Sequence, residues 1–150
     1  MFTFLNYPVL EGDIIELRLA RTLEAIEEKG YVPSYIYSIY EKESNSDVGY
    51  IDLRIGENEN LFYGGHIGYH VYESYRGHGY AGKACLLLRS LALSHDMKML
   101  RITCDPDNLA SRRTIEKLGA KFLGVYEVPE YNEQFIMGHT HKCVFEWYIV

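Results

Sequence analysis

The sequence predicts a mixed α/β fold built on a mostly antiparallel sheet, and three observations carry that expectation. Period-two runs rich in Tyr, Ile and Val precede, separate and follow two stretches of helical spacing. The first 68 residues are dominated by sheet-like sequence and include a hairpin signal. The middle of the chain holds a strand–loop–helix–strand unit, whose crossover predicts one parallel strand pair within the sheet. A chain of 150 residues suits one domain spanning 1–150. With 47% hydrophobic and 24% charged residues it has the composition of a globular protein, not a disordered one.

"IIELRLAR", Ile14 to Arg21, alternates as a strand, and "TLEAIEEKG" reads as a short helix anchored by Leu23 and Ile26 and stopped at Gly30. "SYIYSIYEKES" and "VGYIDLRIG" alternate again, and the intervening "NSD" makes them a hairpin. After a polar turn, "ENEN", the run "HIGYHVY" sets Ile67, Tyr69 and Val71 on one face and Gly68, His70 and Tyr72 on the other. From Ala81 to about Met97 the spacing of Ala81, Ala84, Cys85, Leu88, Leu91 and Ala92 predicts an amphipathic helix. "MLRITCD" is a strand. "NLASRRTIEKLG" is a helix with Asn108 or Asp107 as its cap and Gly119 as a left-handed stop. "KFLGVYEV" and "KCVFEWYIV" close the chain as strands, joined by the irregular "PEYNEQFIMGHTH".

The net charge of −6 argues against nonspecific nucleic-acid binding. Charge is unevenly placed: residues 76–121 hold nine Lys or Arg against four Asp or Glu, and the remainder holds six against seventeen. A basic centre in an acidic chain fits an anionic ligand at the middle and, more weakly, a cationic one beside it. No apolar run reaches the roughly 18 residues a bilayer crossing needs, and the N-terminus lacks a basic, apolar leader. Cys85, Cys104 and Cys143 are odd in number and each lies in an apolar run, which predicts buried reduced thiols in a cytoplasmic protein, with no metal site.

The chemistry concentrates in "YRGHGYAGKA", Tyr75 to Ala84. Gly77-x-Gly79-x-x-Gly82 spells a dinucleotide fingerprint, and Asp105 lies 23 residues past the last glycine. Three features oppose that reading. Glu73, Ser74, Tyr75 and Arg76 separate strand from glycine, the preceding strand carries His and Tyr on one face, and too little chain follows to complete a doubly wound sheet. Arg76-x-x-Gly79-x-Ala81 instead resembles the (Arg/Gln)-x-x-Gly-x-(Gly/Ala) signature of the GNAT superfamily of acyl-CoA-dependent N-acetyltransferases. "GYHVYESYRGHGYAGKA" followed by "NLASRRTIEKLGA" is similar to the branch of the ribosomal-protein N-terminal acetyltransferases. The likeness is specific over Gly68 to Gly119. Independently of it, a glycine loop opening a helix supplies converging N–H donors and a favourable dipole for a diphosphate.

The resemblance implies acetyl-CoA as co-substrate. Tyr69 and Val71 would offer main-chain groups to the pantetheine arm and thioester. The amides of Arg76, Gly77, His78, Gly79, Tyr80 and Ala81 would hold the diphosphate, with countercharge from Arg76 and Lys83, and Asn108 and Ser111 would contact the cofactor from the second helix. Asn108 also reads as a helix cap and Ser111 as a first-turn residue. The reaction implied is attack of a primary amine, on a protein N-terminus or a small metabolite, on the thioester. Many relatives carry a tyrosine general acid seven residues after the asparagine, where this chain has Ile115, so Ser111 stands as the proton donor. The base is open among His66, His70, Glu73, Glu130, Tyr131, His139 and His141, with His70 and Glu73 set first. Two other readings stay open: an acyl-CoA-binding module without turnover, and an NAD(P)-binding protein. Homodimerisation through "CVFEWYIV" is open too, since that strand is equally suited to the core.

Overall fold

Alternation in Ile15–Leu23 (β2), Ser34–Glu41 (β3) and Ser46–Arg54 (β4) sends every second side chain inward, and these strands form the middle of a sheet. In the computed structural model, which describes residues 1–150, that sheet has the order β1-β2-β3-β4-β5 and is antiparallel throughout. Its edges are Val9–Glu11 (β1), which the sequence pattern did not reveal, and Ile67–Val71 (β5). Met99–Cys104 (β6), Lys121–Glu127 (β7) and His141–Tyr148 (β8) form a second antiparallel sheet of order β6-β8-β7. β8 is therefore central, and Cys143, Val144, Phe145 and Trp147 are buried within the chain.

Helix Tyr80–Ser94 (α2) lays Ala84, Cys85, Leu88, Leu91 and Ala92 against Leu17, Tyr35, Tyr37, Ile39, Ile51 and Leu53. All of these side chains are fully enclosed, so the helical and the strand periodicities meet in one core. Helix Leu109–Lys117 (α3) adds Ile115, also fully buried. Cys85, Cys104 and Cys143 are free, buried thiols, as their apolar context implies.

Three local expectations are corrected. The segment 22–30 is not a helix. β2 runs on to pair Thr22 with Tyr35 and Leu23 with Ser34, and only a 3₁₀ turn, Glu27–Lys29, with no buried residue, precedes Gly30 (φ 70°). Two apolar anchors in nine residues cannot offset helix nucleation, whereas strand pairing adds bonds at once. "ENEN" contains a helix start: Glu59–Gly64 (α1) begins there, capped by the Asn58 side chain accepting from Leu61 N–H at 3.1 Å. The stretch 129–141 holds one short turn of helix, Glu133–Ile136 (α4), capped by Asn132.

The parallel pair expected within the sheet is not found as a ladder: no ladder of bonds joins β5 to β6, which belong to different sheets. At their start His66 N–H donates to the Arg101 carbonyl (2.7 Å), and Arg101 N–H donates to His66 Nδ1 (2.8 Å). An imidazole thus takes the place of a neighbouring strand at the point where the two sheets part. Its Nε2 donates to the Gly56 carbonyl at 3.0 Å. The ring is 2% exposed, and burial holds its pKa below the ordinary value.

Candidate functional site

Beyond His66 the two sheets diverge, and the gap is a cleft of about 490 Å³, within the range of small-molecule sites. Its walls are β5, the turn leading into α2, the end of β6 with the loop that follows, and the first turns of α3. The sequence placed Tyr69, Val71, Arg76, Gly77, Gly79, Tyr80, Ala81, Asn108 and Ser111 at one site, and all nine line this cleft. His78 belongs to the same turn but stacks on the Tyr80 ring (centroids 5.3 Å apart) outside the lining.

Strand register decides which main-chain groups the cleft receives. Arg54 N–H donates to the His66 carbonyl and Tyr72 N–H to the Val48 carbonyl, so even-numbered residues of β5 bond to β4. Alternation then turns the N–H and C=O of Ile67, Tyr69 and Val71 toward the unpaired edge, which is the cleft. One of these groups is already engaged: Arg76 folds back so that its Nε donates to the Val71 carbonyl at 2.9 Å.

At the mouth of α2, the N–H groups of Gly77, His78, Gly79, Tyr80, Ala81 and Gly82 donate to no main-chain acceptor, and the first helical bond is Lys83 N–H to the Gly79 carbonyl. Gly77 (φ 88°) and Gly79 (φ 73°) hold the left-handed conformations that crowd these donors into one turn. A Cβ built on Gly77 meets nothing within 4 Å, and one on Gly79 meets only Lys83 Nζ at 3.6 Å, so this backbone faces open space. Free donors, a helix N-terminus and the cations Arg76 and Lys83 nearby are the groups that a bound anion would require.

Deeper in the cleft, Tyr69 reaches from β5 to α3, where its hydroxyl lies 2.6 Å from Ser111 Oγ. The pair is half-buried, and desolvation pushes the Tyr69 phenol well above its ordinary range. Asn108 caps α3 by accepting from Ser111 N–H at 3.1 Å, which leaves its amide nitrogen to the cleft. Ile115 faces the core and leaves no opening for a tyrosine there. Sequence reasoning assigned Tyr69 for its main chain alone; the phenol beside Ser111 depends on a contact 42 residues away that no local signal announces.

The candidate bases separate. His66 has both ring nitrogens engaged in structural bonds. His70 lines the cleft, exposed, beside the rings of Tyr50 (5.6 Å) and Tyr72 (5.8 Å), with no carboxylate partner. Glu73 lies in the 3₁₀ turn Glu73–Tyr75, past the end of β5, exposed and outside the cleft lining. Glu130 and His141 border a separate depression, and Tyr131 donates to Glu59. His139 lines the cleft, and its Nδ1 donates to both oxygens of Asp105 (2.8 and 2.9 Å). Lys142 lies 3.6 Å from Asp105, largely enclosed, and burial lowers its pKa against the opposing pull of that carboxylate. Arg54, paired with Asp52 at 2.9 Å, also lines the cleft and donates to the Gly64 and Gly65 carbonyls.

The family model for the acetyltransferase (GNAT) domain matches residues 10–121. Among solved structures, the chain is similar to RimL, the ribosomal L7/L12 α-N-protein acetyltransferase, in complex with coenzyme A (18% identity, 93% of this chain and 97% of that one, TM-score 0.67). It is similar also to the Salmonella typhimurium acetyltransferase that modifies the N-terminal serine of the 50S subunit protein L7/L12 (18% identity, 95% and 99% covered, TM-score 0.66). The microcin C7 self-immunity acetyltransferase MccE, in complex with acetyl-CoA and AMP, aligns at 22% identity over 81% of this chain and 62% of that one, TM-score 0.59. At these identities the likeness is one of fold. No curated protein matches the sequence.

Proposed function

This chain belongs to the GNAT acetyltransferase family, and from that premise we propose that it transfers the acetyl group of acetyl-CoA to a primary amine held in the cleft between β5 and β6. The observation that carries the reading is the row of six unbonded N–H groups, Gly77 to Gly82, at the mouth of α2. They suit the diphosphate of coenzyme A, whose arm would run along the free edge of β5 past Tyr69 and Val71, with Asn108 and Ser111 opposite. The turn begins past a 3₁₀ segment, not directly at the strand end, which disfavours the NAD(P) alternative.

Within that frame Ser111 acts as proton donor to the departing thiolate, with the Tyr69 hydroxyl at 2.6 Å fixing its rotamer and replenishing its proton. An acyl transfer needs an anion grip remote from the reacting atoms and a proton donor for the leaving thiolate, and the turn into α2 and the Tyr69–Ser111 hydroxyl pair suit those two roles. For the acceptor, the N-terminal amine of a ribosomal protein is the first to try, since two structures of this fold are named for that reaction. Three free thiols fit a reducing cytoplasm.

The test is to add acetyl-CoA or NADH to the protein and follow melting, then to measure free CoA across a panel of amines. A ligand at 100 times its Kd stabilises by about 2.7 kcal/mol. The reading requires a melting shift with acetyl-CoA alone and thiol release with at least one amine. A shift without release from any amine favours the binding module.

A further inference from the structure

Resting on the transfer reading above, we propose that His139 is the base that takes a proton from the acceptor amine, and that Asp105 is its positioning residue. Of the six histidines, His139 alone lines the cleft with one ring nitrogen on a carboxylate and the other free. His66 is saturated, His95 is bonded to the Tyr35 hydroxyl at 2.6 Å outside the cleft, and His78 and His141 lie outside the cleft. His70 reaches the cleft but nothing fixes its tautomer.

The dyad is assembled from distant chain segments and held on both sides. Asp105 follows directly on β6. His139 stands just past α4, its N–H donating to the Gln134 carbonyl at 2.9 Å, with Gly138 (φ 102°) making the reversal. The bond from Nδ1 to the carboxylate puts the proton on Nδ1 and leaves the Nε2 lone pair free. Asp105 also steadies the imidazolium once Nε2 is protonated. The charged groups around it are Asp105 on the loop after β6, Lys142 on β8 and Arg54 on β4. Lys142, 3.6 Å from Asp105, sets a cation beside the carboxylate that accepts from His139.

The step balances. The ammonium gives one proton to Nε2, which returns it to solvent. The amine nitrogen forms the C–N bond to the acetyl carbon and the C–S bond breaks. The second nitrogen proton restores the Tyr69–Ser111 hydroxyl pair after Ser111 hands its proton to sulfur and Tyr69 replenishes Ser111, so the products are the N-acetyl amine and CoA thiol.

The experiment compares wild type, His139→Gln and Asp105→Asn with acetyl-CoA as donor. The acceptors are hexapeptides beginning with Ser, Ala or Met, together with spermidine, assayed by thiol release from pH 5.5 to 9.5. His139→Gln is expected to lose about 10²–10³-fold in kcat/KM and the acid limb of the profile, with calorimetric CoA affinity unchanged. Asp105→Asn keeps a limb displaced to lower pH, because the imidazolium has lost its carboxylate. Wild-type activity with His139→Gln within threefold of it, or an unmoved acid limb, overturns the base and leaves the transfer reading intact. CoA binding without release from any acceptor by wild type refutes both. Nitrogen-15 spectra of the wild-type imidazole at pH 8 give a check independent of variants and acceptors: a proton on Nδ1 of His139 is expected, and a proton on Nε2 contradicts the proposal.

Discussion

Gly79 separates size from charge at the proposed diphosphate site, and a pair of near-isosteric substitutions exploits it. Its φ of 73° is left-handed, which Asn and Asp tolerate better than other side chains. A Cβ there meets only Lys83 Nζ at 3.6 Å, so neither substitution clashes with the protein itself. The conformational strain is present with and without ligand. It lowers stability by about 1 kcal/mol, roughly 2–4 °C in Tm, and cancels from the affinity. Charge does not cancel. A carboxylate about 4 Å from a phosphate oxygen costs about 4 kcal/mol at an effective dielectric of ~20. Partial neutralisation by Lys83 reduces this to about 2–4 kcal/mol, or ~30- to 1000-fold in Kd. Calorimetry with CoA should therefore show Gly79→Asp binding far more weakly than Gly79→Asn, with the gap narrowing as salt rises. Equal affinities for the two folded variants would refute an anion at this turn.

Other consequences are local. Ser111→Ala should lower kcat about 10–100-fold while CoA affinity holds, and Tyr69→Phe should lower it less; steady-state kinetics with wild-type kcat in both would remove the hydroxyl pair from the chemistry. A methyl group at Gly68 would lie 2.7 Å from Arg54 Nη2 and 2.8 Å from Asp52 Oδ1. Gly68→Ala should therefore destabilise by about 1–3 kcal/mol in urea unfolding, and an unchanged midpoint would contradict that packing. Burial keeps the folded-state pKa of His66 below its unfolded value, so the unfolded chain binds a proton first as pH falls below about 6.5. Its contribution is complete above that pH and is lost as pH falls toward the depressed folded value. His66→Asn should flatten the dependence of stability on pH between about 5 and 7, and parallel curves for variant and wild type would exclude this role.

The sequence made the glycine turn legible because its requirements are local: a left-handed glycine, a helix start and a basic residue all leave marks within ten positions. The long helices were equally plain, since Ala84, Leu88, Leu91 and Ala92 bury one face. The helix expected at 22–30 failed because strand pairing with Ser34 and Tyr35 outweighed a weak periodicity, an effect set by residues a dozen positions away. β1 was too short at three residues to show alternation. Tyr69 with Ser111, and Asp105 with His139, are juxtapositions made by the crossover and by the return of β8, so residue type alone set His70 and Glu73 ahead of His139.

The account stands on the amides of residues 77–82 as the seat of the diphosphate. Backbone NMR of the ¹⁵N-labelled protein titrated with CoA, and separately with pantetheine, which lacks the diphosphate, measures this directly. CoA should shift Gly77 to Gly82 strongly and slow their exchange with water, while pantetheine moves Tyr69 and Val71 and leaves the turn alone. Saturation with CoA that leaves those six amides unshifted would contradict it.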